Sequence, residues 1–155
     1  GVGPHGTIYV NGKAYKSGIA TFIDNAEQGK DIELWGNPHI KRDIIYVKDV
    51  AEAYVLALQS DDTYGLYNMT SSTQLDLEDQ ARAVIDVFGK DKGSKIIYRP
   101  EKSNNTPSFL YSMEKAKRDF HFVPQYTNYK DMMLDYKKEL ESGRWNSLVE
   151  SGDKE

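Results

Sequence analysis

Hydrophobic side chains recur every three or four positions in five segments of the chain. This spacing predicts amphipathic helices. Asp49 and Asp76 directly precede two of these segments, and each is predicted to cap the helix that follows, with Asp79 at a capping-box position behind Asp76. Gly29 follows the first segment as a C′ residue. The predicted helices cover residues 18–28, 50–58, 77–88, 113–120 and 129–141.

Short apolar runs bounded by glycine, proline or charged residues predict strands between these helices. The runs cover residues 32–35, 43–47, 66–69 and 95–98. Residues 1–17 are rich in glycine and lack a sustained period, and residues 100–111 are polar, so both segments are predicted to be loops. The order of elements predicts a mixed α/β domain over residues 1–141 and a polar tail over residues 142–155.

The composition of the chain argues against several classes of binding partner. The 155 residues carry a formal net charge of −4, so no general basic field is available to attract nucleic acid or an acidic membrane. No apolar stretch reaches the length of a membrane helix. The absence of cysteine excludes disulfides and thiolate metal sites and fits a cytoplasmic chain. The three histidines show no metal-ligand spacing, so no metal is expected.

The basic pair Lys41-Arg42 stands against the start of a predicted strand. A guanidinium group has a planar fork that matches two phosphate oxygens and keeps its charge, so Arg42 is a candidate ligand for a diphosphate. The alternative is a surface arginine paired with Asp43 or Glu52. The residues alone favour that ion pair.

Two further residues are candidates for ligand contacts. Trp35 ends a predicted strand and could stack on a base, although a core tryptophan is the simpler interpretation. Lys102 lies in the polar loop of residues 100–111, where a cation among amides would suit a phosphate or a sugar. The alternative for Lys102 is an ordinary solvated loop.

Two dinucleotide-enzyme signatures are absent or unconvincing. Tyr-x-x-x-Lys occurs three times, but none of the matches lies on a long helix behind a cofactor-binding strand, so we reject them as catalytic pairs. The clustered glycines Gly1, Gly3 and Gly6 follow no strand and do not open a helix directly. The chain therefore lacks a βαβ phosphate-binding unit at its start.

Several segments, in order, resemble one family. "KRDIIYVKDVAEAYVLAL" is similar to its RDFIYVDDVAEAI stretch, "FIDNAEQGKDIELWGN" to its F-x-x-x-A-x-x-G-x-x-I-x-x-x-G segment, and "SMEKAKRDFHFVP" to its DISKAKRELGWKP segment. "GLYNMTSSTQLDLEDQA" and the opening Val2-Gly3-Pro4 with Gly6 add two more matches. The chain resembles the C-terminal, substrate-binding part of an extended short-chain dehydrogenase/reductase, in the NAD-dependent epimerase/dehydratase family.

The resemblance implies an α/β fold without the N-terminal Rossmann βαβ units, which carry NAD or NADP and the catalytic Tyr and Lys in the parent enzyme. It implies that Arg42 contacts the diphosphate of a UDP- or dTDP-linked sugar and that Leu34 and Trp35 lie along the base. Lys102 takes the place of a second diphosphate arginine, and Asn105 that of an aspartate on the ribose. No catalytic or cofactor-binding residue is expected in this chain alone.

The parent would transfer a hydride between a sugar carbon and the cofactor, as an epimerase or a dehydratase, while this chain positions the substrate and is inactive alone. A homodimer is one assembly that the resemblance allows. Two alternatives stay open. The same fold could serve an NADPH-dependent reductase of a non-nucleotide substrate, since Lys102 and Asn105 depart from the family pattern. A free-standing binding module without catalysis is the other.

Overall fold

Five helices form where the hydrophobic spacing predicts them. The computed structural model describes residues 7–104 and 107–144. The Asp76 carboxylate accepts a hydrogen bond from the main-chain N–H of Asp79 at 2.8 Å, and the Asp79 carboxylate accepts one from that of Asp76 at 3.2 Å, which confirms the predicted capping box. The helices are α1 (Gly18–Glu27), α2 (Val47–Gln59), α3 (Leu77–Phe88), α4 (Glu114–Phe120) and α5 (Tyr129–Glu141).

The described strands pair two by two. The first pair is the antiparallel hairpin β1 (Thr7–Val10) and β2 (Lys13–Lys16). The second pair, β3 (Ile32–Trp35) and β6 (Ile96–Arg99), is parallel, so a long crossover through α2 and α3 joins its strands. The third is the short antiparallel pair β4 (Arg42–Asp43) and β5 (Gln74–Leu75).

The hairpin corrects the predicted loop over residues 1–17. Asn11 and Gly12 form its two-residue turn with φ of 51° and 73°. Two consecutive positive φ values match the twist of a hairpin, and Asn-Gly is the favoured sequence for such a turn. The Asn-Gly pair signals this turn in the sequence, whereas the glycine content of the segment predicts only a loop. Residues 1–6 lie outside the described part of the chain.

A second correction concerns the start of α2. The predicted strand over residues 43–47 is reduced to Arg42–Asp43, and the helix begins at Val47 rather than after Asp49. Asp49 therefore lies inside the first turn and caps nothing. It is 2% exposed, and its carboxylate accepts main-chain N–H bonds from Gln125 at 2.9 Å and Tyr126 at 3.1 Å. Its role is structural, as predicted, but it fastens α2 to a distant loop.

The predicted strand over residues 66–69 is wrong as well, since this segment forms no strand within the described residues. A strand needs a neighbour for its main-chain groups, and the described part of the chain offers none there. Tyr67 and Met69 are partly buried, whereas Leu66 is 90% exposed. The alternation of a strand is thus present without a sheet.

Two hydrophobic clusters hold these elements. The larger, which we call the main core, lies between α1, α3, α5 and β3, and the fully enclosed Ile32, Leu34 and Val84 belong to it. The smaller, the second core, joins α2 to α4 and the chain that follows α4. Its buried members are Ala53, Ala116, Phe120 and Phe122. No helix in the described residues is both long and apolar enough to cross a membrane.

Candidate functional site

The ends of the parallel strands β3 and β6 form the floor of the candidate site. Trp35 and Arg99 are register partners at the carboxyl ends of the two strands, and the Gly36 N–H donates to the Arg99 carbonyl at 3.0 Å. Side chains alternate along a strand, so Leu34 enters the main core while Glu33 and Trp35 share the opposite face. Glu33, Trp35 and Arg99 therefore lie together near the carboxyl ends of β3 and β6.

A tight turn after β6 brings the predicted loop back over this edge. The Lys102 N–H donates to the Arg99 carbonyl at 3.1 Å, which closes the turn. Gly36 has φ of +65°, and a Cβ atom there would lie 3.0 Å from Asn104 Cβ and 3.1 Å from the Lys102 carbonyl oxygen. Only a glycine lets the loop approach so closely. Gly36 thus places Lys102 and Asn104 beside the end of β3.

The carboxylate of Glu33 binds three side chains of the site. One carboxylate oxygen accepts from Lys102 Nζ at 2.7 Å and from Trp35 Nε1 at 3.2 Å, and the other accepts from Arg99 Nε at 3.0 Å. The Lys102 ammonium also lies 4.4 Å from the centroid of the Trp35 ring, within the range of a cation–π contact. Lys102, the Trp35 indole N–H and Arg99 together lower the pKa of Glu33 to about 2.

Arg42 reaches the same loop from β4. Its Nη2 donates to Asn104 Oδ1 at 3.2 Å, while its Nε is enclosed without an acceptor in the described structure. The expected alternative, an ion pair with Asp43 or Glu52, is not formed among residues 7–104 and 107–144. Residues 7–104 and 107–144 therefore leave part of the hydrogen-bonding capacity of the Arg42 guanidinium unused.

The other half of the basic pair has a structural role. Lys41 Nζ lies 3.2 Å from Asp76 Oδ2 and 3.4 Å from Asp79 Oδ2, the two carboxylates of the capping box. The hydrogen bond to Asp76 is the main cause that raises the pKa of Lys41. Lys41 directly precedes β4 and points toward α3, so of this pair Arg42 is the residue that contacts the loop of the candidate site.

Three of the five predicted site residues come together. Lys102 lies in the short loop at residues 102–104, and this loop is contacted by Arg42 and Trp35. Trp35 is 49% exposed, so the alternative of a core tryptophan is wrong. The Leu34 side chain is fully buried, which leaves only its main chain for a ligand. Asn105 lies outside the described residues, and its role stays a prediction.

Two residues of the site were missed. Glu33 could have been found from the alternation in Ile-Glu-Leu-Trp, which puts it on the face of Trp35. Arg99 gave no such signal, because only the parallel register of β3 with β6 sets it beside Trp35.

No group of three or more residues suited to hold a metal ion is found among the described residues. The described residues also contain no glycine-rich turn between a strand and a helix, the element that binds a dinucleotide pyrophosphate in Rossmann folds.

Known proteins resemble this chain in sequence. Residues 2–70 match the model of the NAD dependent epimerase/dehydratase family. The chain is 27% identical over 124 residues to a dTDP-4-dehydro-6-deoxy-D-allose reductase from Streptomyces bikiniensis, which covers 77% of this chain and 37% of that enzyme. It is 29% identical over 100 residues to a trifunctional UDP-glucose 4,6-dehydratase, epimerase and reductase from Arabidopsis thaliana, covering 64% of this chain and 15% of that one.

Solved structures extend the likeness over most of the chain. A UDP-N-acetylglucosamine 4-epimerase from Bacillus cereus superposes with a TM-score of 0.66 at 22% identity, covering 86% of this chain and 43% of that one. An epimerase from Methanothermobacter thermautotrophicus gives a TM-score of 0.67 at 18% identity, covering 88% of this chain and 40% of that one. The fold is the mixed α/β fold of short-chain dehydrogenase/reductase epimerases and dehydratases, as predicted.

The match over residues 2–70 and these relatives confirm the resemblance to the NAD dependent epimerase/dehydratase family that the motifs predict. The similar proteins named above are dehydratases, epimerases and reductases. The chain spans 15% to 37% of the length of these two curated relatives and about 40% of the solved ones.

Proposed function

We propose that the chain is the substrate-binding part of an NAD(P)-dependent nucleotide-sugar epimerase or dehydratase. In this proposal it positions a UDP- or dTDP-linked sugar against a cofactor-binding part that lies outside these 155 residues. The observation that carries the proposal is the convergence of Arg42, Lys102 and Trp35 on one loop at the end of a parallel strand pair. Binding sites of α/β proteins favour this carboxyl edge.

Each of these side chains suits a part of such a ligand. Trp35 offers a half-exposed ring on which a base can stack. Arg42 offers a planar guanidinium to the diphosphate, and Lys102 adds a charge without the fork. The Asn105 amide can bond a ribose hydroxyl. For the reaction, the bound cofactor would supply hydride transfer, whereas this chain would hold the substrate in place and exclude water.

The outer face of α2 supports a second packing partner. Val47, Tyr54 and Leu58 are 69%, 69% and 87% exposed and fall on one face of the helix. Leu66, beside Tyr67 of the second core, is 90% exposed. Large contiguous apolar surface is characteristic of an interface. The cofactor-binding part of the same enzyme is the proposed occupant, which argues against a free-standing module.

A ligand-binding experiment tests the site. We expect the 155-residue protein to bind UDP-glucose or dTDP-glucose in isothermal titration calorimetry or by NMR. Arg42→Ala should weaken this binding about 10- to 100-fold, since a hydrogen bond to a charged group contributes roughly 1.5–3 kcal/mol. Lys41→Ala is the matched control, because Lys41 binds the capping box instead, and it should leave the affinity within about twofold of wild type. Equal losses in both variants would contradict the proposed role of Arg42.

The reductase alternative is supported by one observation. Lys102, which departs from the family's arginine, already binds Glu33, so a neutral substrate would not have to displace that contact. Thermal-shift measurements on the full-length gene product separate the two functions. Stabilisation by NADPH but by neither UDP- nor dTDP-sugars would favour the reductase, and stabilisation by one of the nucleotide sugars would exclude it.

A further inference from the structure

The polar edge of the site holds more positive charge than the predicted residues supply. Arg99 and Lys102 both point their cationic atoms at the Glu33 carboxylate, at 3.0 Å and 2.7 Å. The three side chains are 43%, 39% and 37% exposed, so solvent and ligands can reach them. A single carboxylate is therefore holding two accessible cations at the place where the proposed diphosphate would lie.

The contacts made by this carboxylate are those a phosphate group would make. Each of its oxygens accepts from one cation, and the Trp35 indole N–H adds a third donor at 3.2 Å. Arg99 uses only its Nε for Glu33, and its terminal amino groups make no hydrogen bond within the described chain. A guanidinium presents these groups as a fork that binds two oxygens at once. Arg99 thus retains the donors that a diphosphate prefers.

We propose that Glu33 fills the anion position of the site when no ligand is bound, and that a diphosphate takes its place on Arg99 and Lys102. Arg99 then becomes a further phosphate contact, and Glu33 becomes the residue that sets the affinity and admits only ligands with enough negative charge. This inference rests on the proposed function, because it assumes that a diphosphate is the ligand of this edge.

Competition follows from the charges. The two cations give Glu33 two half-exposed ion pairs, which water screens and which are therefore weak. A diphosphate has more negative charge than one carboxylate and more oxygens to distribute over the two cations, so it can displace Glu33. The displaced carboxylate then lies beside the bound phosphates and repels them. Both effects lower the affinity of the wild-type protein, and removing the charge of Glu33 should raise it.

The test compares UDP binding by wild type and Glu33→Gln in titration calorimetry. Glutamine keeps the shape and one acceptor but loses the charge, so we expect about three- to tenfold tighter binding of UDP. Arg99→Gln should weaken binding about three- to tenfold. The control is Asp86→Asn, which removes a carboxylate that pairs with Lys130 between α3 and α5 and should leave the affinity unchanged.

The indole N–H resonance of Trp35 gives an independent readout. It should shift when UDP is added to wild type, because the bond to Glu33 is released, and it should already be shifted in Glu33→Gln. Replacement of Trp35 by Phe assigns this signal, since the chain has two tryptophans. An affinity for UDP that stays equal or falls in Glu33→Gln would overturn the inference, because Glu33 would then orient the cations for the ligand.

The same titrations distinguish this inference from the proposed function. If wild type binds no UDP or dTDP compound, the nucleotide-sugar assignment fails, and inorganic pyrophosphate then serves as the probe. Tighter binding of pyrophosphate by Glu33→Gln than by wild type would support the anion role of Glu33 by itself. Equal binding, or none by either protein, would overturn it.

Discussion

The charged edge around Glu33 and the apolar outer face of α2 are both exposed. They differ in whether their side chains find partners within this chain. At the edge, Glu33 pairs with both Arg99 and Lys102, so each cation has a partner within the protein. On α2, Val47 and Leu58 face solvent without polar compensation. The charged edge is stable in water and can bind a small charged ligand there. The apolar face of α2 is stabilised only when a partner buries it.

The largest expected effect on stability comes from the buried carboxylate that holds α2 in place. Asp49→Ala removes a buried carboxylate that accepts from the main chain of Gln125 and Tyr126, and leaves two N–H groups without acceptors. We expect the free energy of unfolding to fall by about 2–4 kcal/mol. Urea denaturation measures it, with Glu52→Ala as an exposed control on the same helix. A loss below about 1 kcal/mol would mean that packing alone positions α2.

Substitutions on the two faces of α2 should change the free energy of unfolding to very different extents. Ala53, 3% exposed, lies in the second core, so Ala53→Leu should overpack it and lower the free energy of unfolding by about 1–3 kcal/mol. Leu58→Ser on the outer face should change it by no more than about 0.5 kcal/mol. The same denaturation curves give both values. A comparable loss in Leu58→Ser would show that this chain already covers the outer face by itself.

Gly36 tests the geometry of the charged edge. Gly36→Ala and Gly65→Ala both impose a side chain at positive φ, which costs roughly 1 kcal/mol, but only the Cβ atom at Gly36 meets Asn104 and Lys102. We expect Gly36→Ala to be about 1 kcal/mol less stable than Gly65→Ala and to bind UDP more weakly. Thermal unfolding and calorimetry measure the two effects. Equal behaviour would mean that the loop at residues 102–104 can move away freely.

The sequence predicted the helices and the parallel strands well, because their hydrophobic periods and caps are local. It failed where the outcome depends on a distant partner. Asp49 had the spacing of a cap, yet the main chain at Gln125 and Tyr126 captured its carboxylate. Residues 66–69 had the alternation of a strand but no neighbouring strand in the described chain. Residues 7–16 failed differently, since the local Asn-Gly signal was outweighed by glycine content.

For the candidate site as well, local motifs were predictive and contacts between distant residues were not. Arg42 and Lys102 were identified through motifs, and the structure places both at one loop. Arg99 could not be identified, because its position beside Trp35 is a consequence of strand register. Neither motif nor composition indicated that Lys102 would be bound to Glu33, since that contact joins residues 69 positions apart.

The smallest effect is the pH dependence that Glu33 contributes to stability. Lys102, Trp35 and Arg99 lower its pKa from 4.5 to about 2 in the folded protein. Because the folded pKa lies below the unfolded one, the stabilisation is fully present above about pH 4.5 and is lost as the pH falls toward 2. Wild type should therefore lose melting temperature relative to Glu33→Gln across this window. The other carboxylates titrate in both proteins, so they cancel in the difference. A difference in Tm that stays constant from about pH 6 to pH 2 would show that Glu33 is not held by these cations in solution.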